Sequence, residues 1–209
     1  MNLAETWIEL TSKLNVHHTL QETFWSEIIT AYQQRERFYH NLNHILDLVT
    51  LAKHYQAEIE DFDSLLFSLF YHDIIYQVKQ NNNEIESAKL AAHRLSSLNY
   101  PEDKISKCYR QIISTQSHRL SQESDTNYLL DLDLSILGEE RSKYREYSQN
   151  IRQEYGMYSE QVYNQGRRQF LERLLNRNFI YKTKLFRDRH EQRARENLSW
   201  ELEKLKSNF

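Results

Sequence analysis

The chain has 209 residues with three glycines, one proline and one cysteine, and its 27 lysines and arginines against 30 acidic residues leave a net charge of -3. That length suits one well-buried domain, and the scarcity of helix breakers beside abundant Glu, Lys, Leu, Gln and Arg points to an all-α fold. The near-balanced charge gives no ground for a dedicated nucleic-acid or membrane surface, and a lone cysteine, Cys108, excludes an internal disulfide and suits a reducing compartment.

The elements follow in chain order. The opening "MNLAETWIEL" lacks the basic start of a secretory leader, and its periodicity predicts a first helix with Leu3, Trp7, Ile8 and Leu14 on one stripe. A second helix carries Phe24, Trp25, Ile28, Ile29 and Tyr32 in "LQETFWSEIITAYQQR". Further helices are predicted over about 43–57, 62–76, 84–97, 102–116, 128–137, 140–155, 159–176 and 184–206. The Asn cluster in "VKQNNNEIES" marks a loop ahead of an acidic first turn, and Pro101 in "LNYPEDK" can open a helix. Gly138 suits a helix C-terminus. The apolar stretch 64–71 is too short to cross a bilayer, so a soluble, cytoplasmic protein is expected. The expected organisation is a single helical domain over 1–209, with a core at about 37–138 and C-terminal helices at about 140–206 packing on it.

Within this pattern, the pair His72-Asp73 interrupts "SLLFSLFYHDIIYQV". A carboxylate at the edge of a core must be neutral, paired with a cation or bound to a metal, because burying it alone costs several kcal/mol or more. The pair has company in other apolar helical segments. His44 faces inward if a helix starts near Asn43, with His40 one turn earlier; Asp131 and Asp133 interrupt "YLLDLDLSILG"; and His118 follows a segment carrying Ile105, Ile112 and Ile113. Imidazole nitrogens and carboxylate oxygens together suit a divalent ion, and His44, His72, Asp73 and Asp133 would leave open positions of the kind that catalysis uses.

The order His, then His-Asp, then Asp on successive helices resembles the HD superfamily of metal-dependent phosphohydrolases. The segments "RFYHNLNHI", "FYHDIIY", "NEIESA", "DLDLSILG" and "GRRQFLERLLNRNFIY...AREN" resemble, along most of the chain, a bacterial group of predicted metal-dependent HD phosphohydrolases. The resemblance implies an HD-type helical bundle and a divalent ion, such as Mn, Co, Mg, Zn, Ni or Fe, held by His44, His72, Asp73 and Asp133. Asp131 is the alternative to Asp133, because Leu134 and Ser135 stand where the superfamily often has Arg-Leu. The implied reaction is hydrolysis of a small phosphorylated molecule, for example a nucleotide. Around the ion, Glu84 is the candidate proton-transfer carboxylate, His118 its alternative or a ligand for a second ion, and Arg37 a candidate phosphate ligand.

Two other readings remain. A di-iron oxygenase would need further imidazoles, which His118 with His40 or His93 could supply; a non-catalytic module would bind a nucleotide or ion with all positions filled by protein. Residues 167–195 hold ten Lys or Arg against three acids, read as the solvated face of helices rather than a nucleic-acid surface. The last helix is expected to bury Leu185, Leu198, Leu202 and Leu205, with Glu196, Glu201 and Glu203 offsetting the basic run.

Overall fold

The computed structural model describes residues 2–207. It is all-α: among the described residues there are ten α-helices and no strands. The chain forms two compact units, Met1–Leu129 and Leu130–Phe209. No helix among the described residues is long and apolar enough to cross a membrane.

In the first unit, α1 (Leu3–Ser12), α2 (His18–Tyr32), α3 (Leu42–His54), α4 (Phe62–Tyr71), α5 (Asn83–Ser97) and α6 (Glu102–Ser114) precede α7 (Ser124–Asp133), inside which the division between units falls. The organising element is α4. Every residue from Ser64 to Tyr71 is buried, so this helix has no solvent face, and α3, α5 and α6 all pack on it. Its two serines are satisfied internally: Ser68 Oγ donates to Gln111 Oε1 at 2.7 Å, and Ser64 Oγ donates to Asp61 Oδ2 at 2.8 Å. Trp7 from α1 meets Phe67 and Phe70 edge-on, with centroids 5.9 and 5.5 Å away, and its indole donates to Gln21 O at 3.0 Å. Truncating Phe70 in this cluster would cost about 3–5 kcal/mol.

Several local expectations need correction. On α1 the buried stripe is Leu3, Thr6, Trp7, Leu10 and Thr11, and Ile8 is 49% exposed. Spacing of three and four from Leu3 selects Trp7 and Leu10, and Ile8 falls just beyond that arc. The helix predicted through residue 76 stops at Tyr71, so His72 is its C-cap and Asp73 lies in the turn that follows. Between α5 and α6, Asn99 takes the left-handed conformation (φ 55°), with Tyr100 N donating to Leu95 O at 3.0 Å and Asn99 N to Ser96 O at 3.0 Å. This is the Schellman pattern, with asparagine in the position glycine usually fills.

The second unit contains the end of α7, a 3-10 turn at Ser135–Gly138, and the helices α8 (Arg141–Glu154), α9 (Glu160–Leu175) and α10 (Lys184–Ser207). Gly138 ends no α-helix and has no positive φ. A Cβ there would lie 2.7 Å from His190 Cβ and 2.9 Å from the Tyr181 hydroxyl, so close packing explains the glycine. On α10, Leu198 is buried as expected, but Phe186, Ala194, Asn197 and Glu201 share the inner face, while Leu185, Leu202 and Leu205 are half-buried. Glu201 is no surface counter-charge. It receives the Arg167 guanidinium at 2.8 and 3.0 Å, the Ser148 hydroxyl at 3.1 Å and the Tyr144 hydroxyl.

Candidate metal centre

The first unit brings four of the sequence-predicted residues together. Asn41 caps α3 by accepting from Asn43 N at 2.9 Å, which starts the helix at Leu42 and turns His44 inward on its first turn, 4% exposed. The end of α4 delivers His72, 1% exposed, whose Nδ1 lies 2.9 Å from Leu69 O. A carbonyl oxygen can only accept, so this bond places the proton on Nδ1 and leaves the Nε2 lone pair for another partner. That Nε2 lies 3.4 Å from His44 Nε2 and 3.2 Å from Asp73 Oδ2. Ligand atoms about 2.0–2.1 Å from a tetrahedral ion stand about 3.3 Å apart, so both separations match shared coordination. His40 is half-buried, with Nε2 4.0 Å from Asp73 Oδ2, and packs on Tyr76 at a centroid distance of 4.3 Å.

The turn carrying Asp73 is held through its backbone. Tyr32 Oη accepts from Asp73 N at 3.3 Å, and Ser87 Oγ accepts from Ile75 N at 3.1 Å. Arg37, 5% exposed, donates from Nη1 to Asp73 O at 2.6 Å and to His40 O at 3.2 Å, and from Nη2 to Ile74 O at 2.9 Å. Its guanidinium also lies over the Tyr32 and Tyr76 rings. Arg37 is therefore a clamp on the segments that carry His40 and Asp73, and its donors point at main-chain carbonyls rather than outward as a phosphate ligand would. Tyr32 and Ser87 were not singled out by sequence. The only available signal was a buried serine among the small residues of "NEIESAKLAA".

The other candidates are half-buried or exposed. Glu84 is half-buried in the first turn of α5, three residues before Ser87 and so beside it on the helix. His118 is half-buried beyond the end of α6 with φ 48°, and Gln116 Nε2 donates to Asn81 O at 3.1 Å, joining that segment to the loop before Glu84. His93 is exposed on α5 beside Arg94. Cys108 is fully buried, and burial pushes its thiol up to about 11, which fits a packing role.

Asp131 and Asp133 sit two residues apart on α7, about 200° around the helix, and so point in opposite directions. Asp131 is buried and accepts from Lys182 N and Thr183 N, both at 2.7 Å, and from Thr183 Oγ1 at 2.8 Å, with Lys182 Nζ at 3.7 Å. Burial raises the Asp131 carboxyl and lowers the Lys182 amine to about 8, each being pushed toward its neutral form. This acid is committed to shaping the start of α10. Asp133 is half-buried at the last position of α7.

Comparison of the chain with protein-family models, with curated proteins and with solved structures gave no match.

Proposed function

We propose that the chain is a metal-dependent phosphohydrolase acting on a small phosphorylated molecule such as a nucleotide, in a reducing cytoplasmic compartment. The observation that carries this reading is the pair of buried Nε2 atoms, 3.4 Å apart, with a carboxylate oxygen 3.2 Å from one of them. His44, His72 and Asp73 would hold the ion. Asp133 is the further carboxylate we assign to the ion in preference to Asp131, which accepts from Lys182 N and Thr183 N. The resemblance to HD phosphohydrolases supports the same set.

A divalent ion supplies Lewis acidity to a water and to a phosphoryl oxygen. Leu69 O fixes the His72 tautomer, and Arg37 with Tyr32 fixes the turn that presents Asp73. Glu84 is the carboxylate assigned to proton transfer, with His118 as its alternative or as a ligand for a second ion; they lie on the segments that Gln116 and Asn81 join. A second reading, two ions rather than one, is favoured by a specific contact: His40 stands 4.0 Å from the Asp73 oxygen nearest His72.

The test is a phosphate-release screen across nucleotides and sugar phosphates, with ions counted by elemental analysis. Chelation is expected to abolish release and Mn²⁺ or Co²⁺ to restore it. Full activity in verified metal-free protein would overturn the proposal, and two bound ions with oxygen-dependent turnover would select the di-iron alternative.

A further inference from the structure

One amide in the core of the first unit is only half used by the fold. Gln111 on α6 is fully buried and its Oε1 accepts from Ser68 Oγ at 2.7 Å, but its Nε2 has no hydrogen-bond partner among the described residues. An amide N–H left unpaired in a core lowers stability, and an apolar side chain of similar length would avoid that loss. Ser68 does not require the glutamine either, because its hydroxyl also has Ser64 O at 3.0 Å. A buried group that departs from polar satisfaction is a candidate for a functional role.

The position of Gln111 is a second observation. Helices α4 and α6 run parallel: Lys104 Nζ lies 3.4 Å from Asp61 Oδ1, Cys108 Sγ 3.3 Å from Ser64 O and Gln111 Oε1 2.7 Å from Ser68 Oγ, at sequence separations of 43, 44 and 43 residues. The same offset carried one turn further sets Thr115, buried like Gln111, beside His72. Gln111 therefore lies one turn, about 5.4 Å, back along the seam from the level of His72. The His72 ring folds back toward it, with Nδ1 2.9 Å from Leu69 O. The unpaired amide and a proposed metal ligand thus share one turn of the seam, on the buried side.

We propose that Gln111 is an oxygen-binding residue of the candidate metal centre, its Nε2 donating to a water or to a phosphoryl oxygen of the substrate. This rests on His44 and His72 holding an ion. A neutral amide suits either oxygen, since it donates without bringing a second positive charge beside the cation.

The test uses full-length protein and ¹⁵N NMR, with the Gln111 NH₂ pair assigned from its loss in Gln111→Met. Zn²⁺ is added first and inorganic phosphate second, and the His44 and His72 Nε2 resonances report whether the ion binds. The Gln111 NH₂ resonances are expected to move saturably, with the ion alone if the acceptor is water and only on adding phosphate if it is a phosphoryl oxygen. In the second case Gln111→Met is expected to weaken phosphate binding to the Zn²⁺-loaded protein by about tenfold, the effect of losing one charge-assisted hydrogen bond. Metal-free Gln111→Met is expected to melt no lower than wild type, because Ser68 keeps Ser64 O as an acceptor. The proposal is overturned if the histidine resonances report the ion while the Gln111 NH₂ pair stays still through both additions. It is equally overturned if metal-free Gln111→Met melts well below wild type, which would make the glutamine architectural. Histidine resonances that do not respond to Zn²⁺ would instead overturn the metal reading, and the role of Gln111 with it.

Discussion

Two carboxylates in this molecule, Glu201 buried and Asp73 half-buried, are handled in opposite ways. Glu201 in the second unit is met by a permanent cation, and the Arg167 guanidinium, the Tyr144 and Ser148 hydroxyls fill its acceptor sites. Asp73 in the first unit faces imidazoles at 3.2 and 4.0 Å, and the nearby guanidinium of Arg37 bonds to its carbonyl instead of its carboxylate. A carboxylate buried for architecture is matched by charge that cannot be titrated away. Asp73, the acid proposed to hold an ion, instead keeps company with imidazoles, the side chains that bind metals in their neutral form, and the arginine holds only its backbone.

The largest expected effect is at Asp73. Asp73→Asn keeps shape and one oxygen but removes the negative charge, so turnover is expected to fall by more than the roughly 10–100-fold seen for residues that merely orient ligands. Melting of the metal-free variant is expected to match metal-free wild type. At a metal concentration 100 times the Kd, wild type gains about 2.7 kcal/mol while the variant gains little. A large stability loss in the metal-free variant with ion binding intact would make Asp73 an architectural acid like Glu201.

Next comes Arg167→Met, which strands Glu201 and is expected to cost about 3–5 kcal/mol in chemical denaturation while leaving the metal affinity of the first unit unchanged. Its pH dependence sharpens the comparison. Burial alone would raise the Glu201 carboxyl, but Arg167 and the hydroxyls hold it below its usual value of 4.5. A depressed carboxylate stabilises the fold above its unfolded pKa, and that contribution is lost as pH falls below about 4.5 toward the folded value. Without Arg167, burial dominates and the sign reverses, so Glu201 adds stability as pH falls toward 4.5 from above. Asp131 is raised by burial and contributes the opposite trend in both proteins, so the quantity to measure is the difference between the two melting curves. A parallel pair of curves would show that Arg167 does not control Glu201.

The contrast between the two acids was only half legible in the sequence. Apolar spacing showed the helices, and the burden of burying His44, His72 and Asp73 showed that they needed partners. Asp131 and Asp133 looked equivalent because both interrupt the same apolar run; only the path of residues 182 and 183 reveals that one is occupied. Arg37 precedes a histidine-rich segment and reads naturally as an anion ligand, yet its donors reach carbonyls 36 and 37 residues away, a pairing no local pattern encodes. Glu201 was read as a surface acid because its neighbours Trp200, Leu202 and Glu203 give no sign that Arg167 will face it across α9 and α10. Periodicity reports which face is buried, and long-range pairing decides what a polar group on that face does.

The smallest expected effect concerns the backbone of the Asp73 turn. Ser87 Oγ accepts from Ile75 N at 3.1 Å and donates to Ile75 O at 3.2 Å, closing a reciprocal pair that fixes the residue two positions beyond Asp73. Ser87→Ala removes both bonds while leaving the small side chain that α5 needs beside Ala88 and Ala91, so overpacking and cavity effects are minimal. Two neutral hydrogen bonds partly replaced by water give an expected loss of about 1 kcal/mol. If Asp73 is positioned mainly through its main chain, the loosened turn is also expected to weaken metal binding by several-fold, short of the effect of removing the carboxylate charge. Titrating metal into Ser87→Ala and wild type by calorimetry checks this. Equal affinities alongside the stability loss would confine Ser87 to the fold and leave Arg37 and Tyr32 to hold the ligand in place.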